Sequence, residues 1–360
     1  MMGLSKISRK HVVLSLAMIA GSWQQAHAQE ETLESINLQE TPWTVIAEET
    51  GIFDEEFSRV GVNNVNLVAE GAAEMIGAET AAVKQGALAI AQRMIYPATV
   101  HKANGVDSVI VWSSGPSNRY RAPILASAAN DEVNTLEDLE DLEGKKLGSS
   151  RVSCYWSSPF EALDVAGLPM DTRERRGKVR YSSIDNTAVA LSAVLSGALD
   201  ATAVHLAAGN ATGAWLSGKF KIIGHSPADG VYVNHAGRVT YFATRAFSQA
   251  HPEAIQAFLK ARERTMIWAT DHVEDAAEIV SRRLRLPLDV ARFQITTKGQ
   301  WEFMSSEPSA ESVRNSIATF QRWYIDHGDT ILAAHHLSED ELDDFVDDRF
   351  FEGGEYSIYL

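Results

Sequence analysis

The sequence predicts an α/β fold in two similar lobes, each a mainly parallel sheet flanked by helices, and three observations carry that prediction. Strand-like and helix-like segments alternate as β-α-β-α-β-α-β between Leu33 and Trp112, the pattern of parallel strands joined by helical crossovers. The alternation restarts at Lys145, after a polar passage from Ser113 to Asn118. The pattern V-x-x-G-A-L-x also occurs twice, at Val83 to Ala89 and at Val194 to Asp200, each time closing a helix at glycine and entering a strand. With 360 residues the chain can bury two medium cores.

The first segment sets the compartment. Lys6, Arg9 and Lys10 precede an apolar run from Val12 to Gly21, and Ala26-His27-Ala28 offers small residues where a signal peptidase reads them. Residues 1–28 are therefore expected to be a cleaved signal peptide. The run is shorter than the roughly 20 residues of a membrane span, and no cysteine stands at the cleavage site to carry a lipid. A soluble protein in the periplasm of a Gram-negative cell is expected. In that oxidising compartment the single cysteine, Cys154, cannot form an intramolecular disulfide. It reads either as buried at a loop-helix corner or as a reactive thiol. A formal net charge of −16 disfavours nucleic acid and anionic lipid as partners, and the basic clusters Arg173–Arg176 and Arg282–Arg285 read as solvated helix faces.

Leu33 to Leu38 reads as the first strand. Thr41 can cap the helix that follows, Pro42 suits its first position and Gly51 ends it. Trp43, in its first turn, reads either as a wall of a cleft or as a core residue. Strands are expected at Val65 to Ala69, Leu88 to Ala91, Asp107 to Trp112 and Ala122 to Ala126, with helices between the first four. Further strands are expected at Lys145 to Gly148, Lys178 to Ser182, Asp200 to His205, Lys221 to His225 and Val239 to Thr244. The last returns the chain to the first lobe. Helical patterns follow: Pro252 to Asp271 with Ile255, Phe258, Leu259 and Met266 on one face, and a run from Ser309 through Val313, Ile317, Phe320 and Tyr324. Ser338-Glu339-Asp340-Glu341 is a capping box, with Leu337 and Leu342 spaced as a hydrophobic staple. These helices read as packing onto lobe one. The layout is residues 29–127 for the first part of lobe one, 128–237 for lobe two and 238–360 for the return.

The stretch Thr135 to Leu168 organises this plan. Gly144-Lys145-Lys146-Leu147-Gly148 reads as a short strand emptying into Ser149-Ser150-Arg151-Val152-Ser153, followed by a helix ending at Ala166-Gly167. Orphan N–H groups at such a helix start point at the carboxyl edge of the sheet and suit a small anion. The start itself reads two ways. Ser158-Pro159-Phe160-Glu161 is a capping box with proline at the first helical position, which would leave Tyr155 and Trp156 as cleft-facing loop aromatics.

Asp138-Leu139 through Gly144-Lys145-Lys146-Leu147-Gly148, then serines and an amphipathic run closing on Ala166-Gly167-Leu168, resembles the solute-binding proteins of nitrate/sulfonate/taurine-type ABC importers, the sulfonate-binding/THI5-like family. The resemblance implies the two-lobed type II periplasmic binding fold, a small organic anion as ligand, an inner-membrane ABC permease with its cytoplasmic ATPase as partners, and no cofactor; a monomer is expected. It also implies a helix start near Ser153. In a two-lobed binder the ligand lies where loops at the carboxyl ends of strands converge. That rule nominates Thr41, Trp43, Gly71, Ala72, Gln92, Arg93, Ser113 and Ser114 from lobe one, and Ser149, Ser150, Arg151, Ser153, Cys154, Asp185, Asn186, Thr187 and His205 from lobe two. Hydroxyl and amide donors suit a sulfonate, and an arginine adds charge-assisted bonds; Arg93, placed just after a buried strand, leads Arg151.

Metal and nucleotide motifs are absent from the sequence, as is Gly-x-Ser-x-Gly. A competing reading is an enzyme on the same scaffold. Ala91 to Pro97, with Ser113 to Arg121, is similar to the corresponding part of aromatic sulfinate desulfinases, which place a cysteine after the first strand. Here that loop is Gln39-Glu40-Thr41-Pro42-Trp43 and carries no thiol.

Overall fold

A computed structural model describes residues 33–69, 78–115, 122–140, 145–151, 153–171, 176–205, 209–227, 238–296 and 305–359. The expected signal peptide, Gly71, Ala72 and most of the first basic cluster lie outside the described residues. The strands are β1 Ser35–Gln39, β2 Asn64–Val68, β3 Ile90–Met94, β4 Ser108–Ser113, β5 Pro123–Ser127, β6 Lys146–Ser149, β7 Met170–Asp171, β8 Val179–Ser183, β9 Ala201–Ala203, β10 Phe220–His225 and β11 Val239–Thr244. The helices of the first part are α1 Pro42–Glu49, α2 Ile52–Ser58, α3 Ala78–Lys84 and α4 Ile95–Ala103, and the middle of the chain adds α5 Cys154–Val165, α6 Thr187–Leu195 and α7 Gly209–Leu216. The C-terminal third contributes α8 Arg245–Ala250, α9 Pro252–Asp271, α10 Val273–Leu284, α11 Leu288–Ile295, α12 Ala310–Asp326, α13 Thr330–Ala334 and α14 Glu339–Phe345.

Two sheets organise these elements. The first has the order β2-β1-β3-β11-β4, the second β10-β5-β9-β6-β8-β7. In the first, β1 pairs parallel with β2 and β3, while β11 runs antiparallel between β3 and β4. In the second, β6 pairs parallel with β8 and β9, and β5 is antiparallel to β9 and β10. Each sheet is thus built on a parallel centre, and the first takes β11 from a distant part of the chain.

Local chemistry explains the boundaries. Thr41 and Thr44 form a reciprocal capping box and Pro42 occupies the first position of α1. Gly51 follows α1 with φ of 72°, a left-handed conformation that glycine adopts without strain. Ser153, and not Ser158, caps α5 by accepting the Tyr155 N–H, so Pro159 lies inside the helix. Proline has no N–H to add to the helical ladder there. The second capping box therefore forms no helix start, and Trp156 is a core residue. Strand β3 extends to Met94, three residues past its expected end, because the ladder to β11 runs from Ala243↔Ile90 to Val239↔Met94. Arg93 is consequently inside a strand.

The core has two main parts. One joins β1, β3, α1 and α2 to α9, α10 and α11 through Trp43, Phe53, Tyr241 and Phe258. The other joins α4 and β4 to the second sheet, α5, α12 and α14. The last helices thus pack on elements of both sheets and not on the first alone. Arg282 and Arg283 pair with Glu49, and Arg283 also pairs with Glu48, so this basic cluster clamps α10 to α1 and is not only a solvated face. Among the described residues no helix is long and apolar enough to cross a membrane.

Candidate functional site

The carboxyl edge of the second sheet is built around the turn from β6 into α5. Gly148 leaves room there for the Leu199 side chain, whose methyl would lie 2.4 Å from a side-chain carbon at this position and would have to shift. The chain then turns on its own hydroxyls. Ser153 Oγ donates to the Ser150 carbonyl at 2.7 Å and accepts from Tyr155 N at 3.1 Å. Tyr181 OH donates to the Ser149 carbonyl at 2.8 Å, and Ser150 Oγ lies 3.5 Å from Asp185 Oδ1. These bonds fix the start of a twelve-residue helix at the sheet edge, where its dipole favours negative charge.

Arg151 stands beside that start, half-buried, with its guanidinium carbon 5.3 Å from the Trp156 ring centre. Its charge acts on three groups. Burial pushes the Tyr181 hydroxyl up to about 12 while Arg151 pulls it down. Burial likewise raises Tyr96 and Asp329, again opposed by Arg151. Tyr96 belongs to the first turn of α4, in the other half of the molecule, and Asp329 caps α13. Tyr155 faces His205 with ring centres 5.7 Å apart, and burial lowers the His205 pKa to about 3, so its imidazole is neutral at ordinary pH. Cys154 is half-buried and packs against the core of the first sheet. The α5 start therefore contacts the first half directly.

On the first-sheet side the nominated side chains are mostly committed to the fold. Thr41 Oγ1 is the α1 cap. Trp43 is 2% exposed, edge-on to Phe53, Tyr241 and Phe258, the core alternative and not the wall. Arg93 is 5% exposed and donates to Thr80 Oγ1 at 2.7 Å. Ser113 Oγ donates to the Ser114 carbonyl and Ser114 Oγ accepts from Val239 N, both buried. Gln92 Oε1 accepts from Tyr241 OH at 3.0 Å. In the second sheet Asn186 caps α6 through Val189 N, and Thr187 is the buried first residue of that helix.

The structure thus brings Ser149, Ser150, Arg151, Ser153, Cys154, Asp185 and His205 to one sheet edge, with Tyr96 of α4 near Arg151. Sequence reasoning did not nominate Tyr96, Tyr181 or Asp329. Asp329 after Gly328 has the look of a helix cap, but its bond to a tyrosine 233 positions away has no local signal. A groove lined by Val109, Arg245, Gln249, Asp344, Asp347 and Arg349 opens by the amino end of β4. Its carboxylates are paired, Asp344 with Arg245 and Asp347 with Arg349, so it is held by internal ion pairs.

Two sheets, each parallel at its centre with antiparallel strands beside it and flanked by helices, share their fold with solved periplasmic binding proteins. The alkanesulfonate-binding protein SsuA from Xanthomonas axonopodis pv. citri, bound to MOPS, shares it with a TM-score of 0.64 at 16% identity, over 82% of this chain and 93% of that one. The periplasmic nitrate-binding protein NrtA from Synechocystis PCC 6803 follows at 0.60 and 12% identity, over 88% and 86%. The desulfurization enzyme DSZB has the same fold at 0.54 and 12%, over 86% and 96%. Residues 118–276 match the model of the NMT1/THI5-like family. No curated protein matches the chain in sequence.

Proposed function

We propose that this protein is the solute-binding component of an ABC importer, receiving a small organic anion of the sulfonate, taurine or nitrate kind between its two halves in the periplasm. The observation that carries the reading is the Ser153-capped start of α5, with Arg151 beside it and Cys154 against the core of the first half. The positive end of the α5 dipole and one guanidinium suit an oxyanion that only accepts hydrogen bonds. Nothing in that arrangement is needed to break a bond. Closure of the halves would then present the loaded form to an inner-membrane permease driven by a cytoplasmic ATPase.

This reading reverses the order of the two arginines. Arg93 holds Thr80 within the first half, and Arg151 is the anion's cationic partner. Arg151→Gln is expected to abolish the thermal upshift that wild type shows in a panel of taurine, alkyl and aryl sulfonates and nitrate. An unchanged upshift would remove Arg151 from the site. The second reading, a desulfinase-like enzyme, is favoured by the shared fold of DSZB. Its thiol would be Cys154, at the start of α5 and not after β1. Release of sulfite from an arylsulfinate, lost in Cys154→Ser, would establish it in place of the receptor.

A further inference from the structure

Resting on the reading of the two halves as a receptor that closes on its ligand, we propose that α7 and α11 form the latch of the closed state, and that Gly209 sets the affinity for the ligand without touching it.

Helix α7 belongs to the second half. It lies between β9 and β10, and its Ala211 shares a core with Leu125, Leu191 and Phe220. Helix α11 belongs to the first half, whose core takes Ala291 and Ile295. The chain crosses between the halves after β4 and again before β11, and neither helix is part of a crossing. Their contact is therefore a bridge made by side-chain packing alone.

The bridge is close because α7 is bare on one side. Gly209 and Gly213 stand four apart, on one helical face. Two glycines among eight residues weaken a helix relative to alanine, which points to a packing role. A side-chain carbon on Gly209 would lie 2.6 Å from a Leu286 methyl, and one on Gly213 would lie 3.8 Å from Val290 Cγ2. Beside them Trp215 meets Phe293 with ring centres 5.3 Å apart.

The turn that meets this bare face is strained. Arg285, just before Leu286, has φ of 56° and is the one non-glycine residue with positive φ among the described residues. Two bonds hold the turn in place: Leu286 N donates to the Ser281 carbonyl at 3.1 Å, and Ser281 Oγ donates to the Leu286 carbonyl at 2.7 Å. Strain fixed in this way marks clamps and switches. Parting the helices would expose Leu286, Trp215 and Phe293 further, and shutting them buries this apolar surface. A ligand that binds only the shut form loses affinity in proportion to the molecules that are open. Loosening the latch therefore weakens every ligand by one common factor.

Two measurements test this. Affinities for methanesulfonate, taurine, benzenesulfonate and nitrate are taken by calorimetry for wild type, Gly209→Val, and Gly209→Val combined with Leu286→Ala, with thermal melts to confirm folding. Gly209→Val is expected to weaken each anion that wild type binds by about tenfold, in the range that overpacking costs, and Leu286→Ala to recover most of the loss. Unchanged affinity, a loss confined to one anion, or no recovery overturns the proposal and leaves the receptor reading intact. The second measurement needs no ligand. Gly213→Cys with Val290→Cys, in a Cys154→Ser background, places two thiols within reach of a disulfide. By small-angle X-ray scattering the oxidised protein is expected to be more compact than its reduced form. Equal radii, or failure of the pair to crosslink, overturn the proposal. Failure of wild type to bind any of the four anions overturns the receptor reading for these ligands, and the scattering still decides whether the helices part.

Discussion

At the scale of single residues, the buried carboxyls are the least expected feature. Glu161 sits in α5 at 1% exposure with Tyr324 OH bonded to Oε1, and burial pushes its pKa well above the usual carboxylate range despite that bond. The folded chain therefore keeps a proton that the unfolded chain gives up near 4.5. Stability from this group is complete below that value and falls as pH rises above it. Glu161→Gln keeps the acceptor for Tyr324 and cannot ionise. It is expected to raise the melting temperature above about pH 6 and to flatten its decline on the alkaline side. A variant less stable than wild type at every pH would refute the assignment. The sequence placed Glu161 in a capping box because Ser158 and Pro159 precede it; only the tertiary contact with Tyr324 shows where its carboxyl goes. Arg93 and Arg151 teach the same lesson, since both follow strand-like residues and nothing local tells which guanidinium is committed inward.

Among the elements, α5 was the most legible and also the most ambiguous. Its carboxyl end at Ala166-Gly167 is written in the sequence, and Gly167 adopts φ of 73° as a left-handed terminator should. Its start reads two ways in the sequence, at Ser153 or at Ser158 of the pattern Ser158-Pro159-Phe160-Glu161. Ser153 prevails because its hydroxyl serves twice, toward Tyr155 N and toward the Ser150 carbonyl. Ser153→Ala should therefore cost about 1 kcal/mol of stability from the lost cap, and it should weaken binding of any anion that wild type accepts, because the loop carrying Arg151 loses its tie. Full affinity in a destabilised Ser153→Ala variant would separate the cap from the site. Strand ends were less readable. The end of β3 depends on a ladder partner about 150 positions downstream, so polar Gln92 and Arg93 looked like a terminus when they are mid-ladder.

Across the whole molecule, the alternation of strands and helices and the restart after the polar passage were enough to give the two sheets. What they could not give was the destination of the last helices. Helices α12 to α14 look alike in the sequence to helices that coat one lobe, yet Phe320 and Tyr324 seat against Tyr96 on one side and Trp156 and Phe160 on the other. The position of β11 has a further consequence. Strands β3 and β4 never touch; each is hydrogen-bonded to β11, which closes the gap between them. On a nascent chain the first sheet must therefore wait until residue 244 has left the ribosome, whereas every strand of the second lies between Pro123 and His225. Pulse-labelled hydrogen exchange during refolding should find amides of β5, β6, β8 and β9 protected before those of β3 and β4. The half that comes second in the chain is thus expected to form its sheet first.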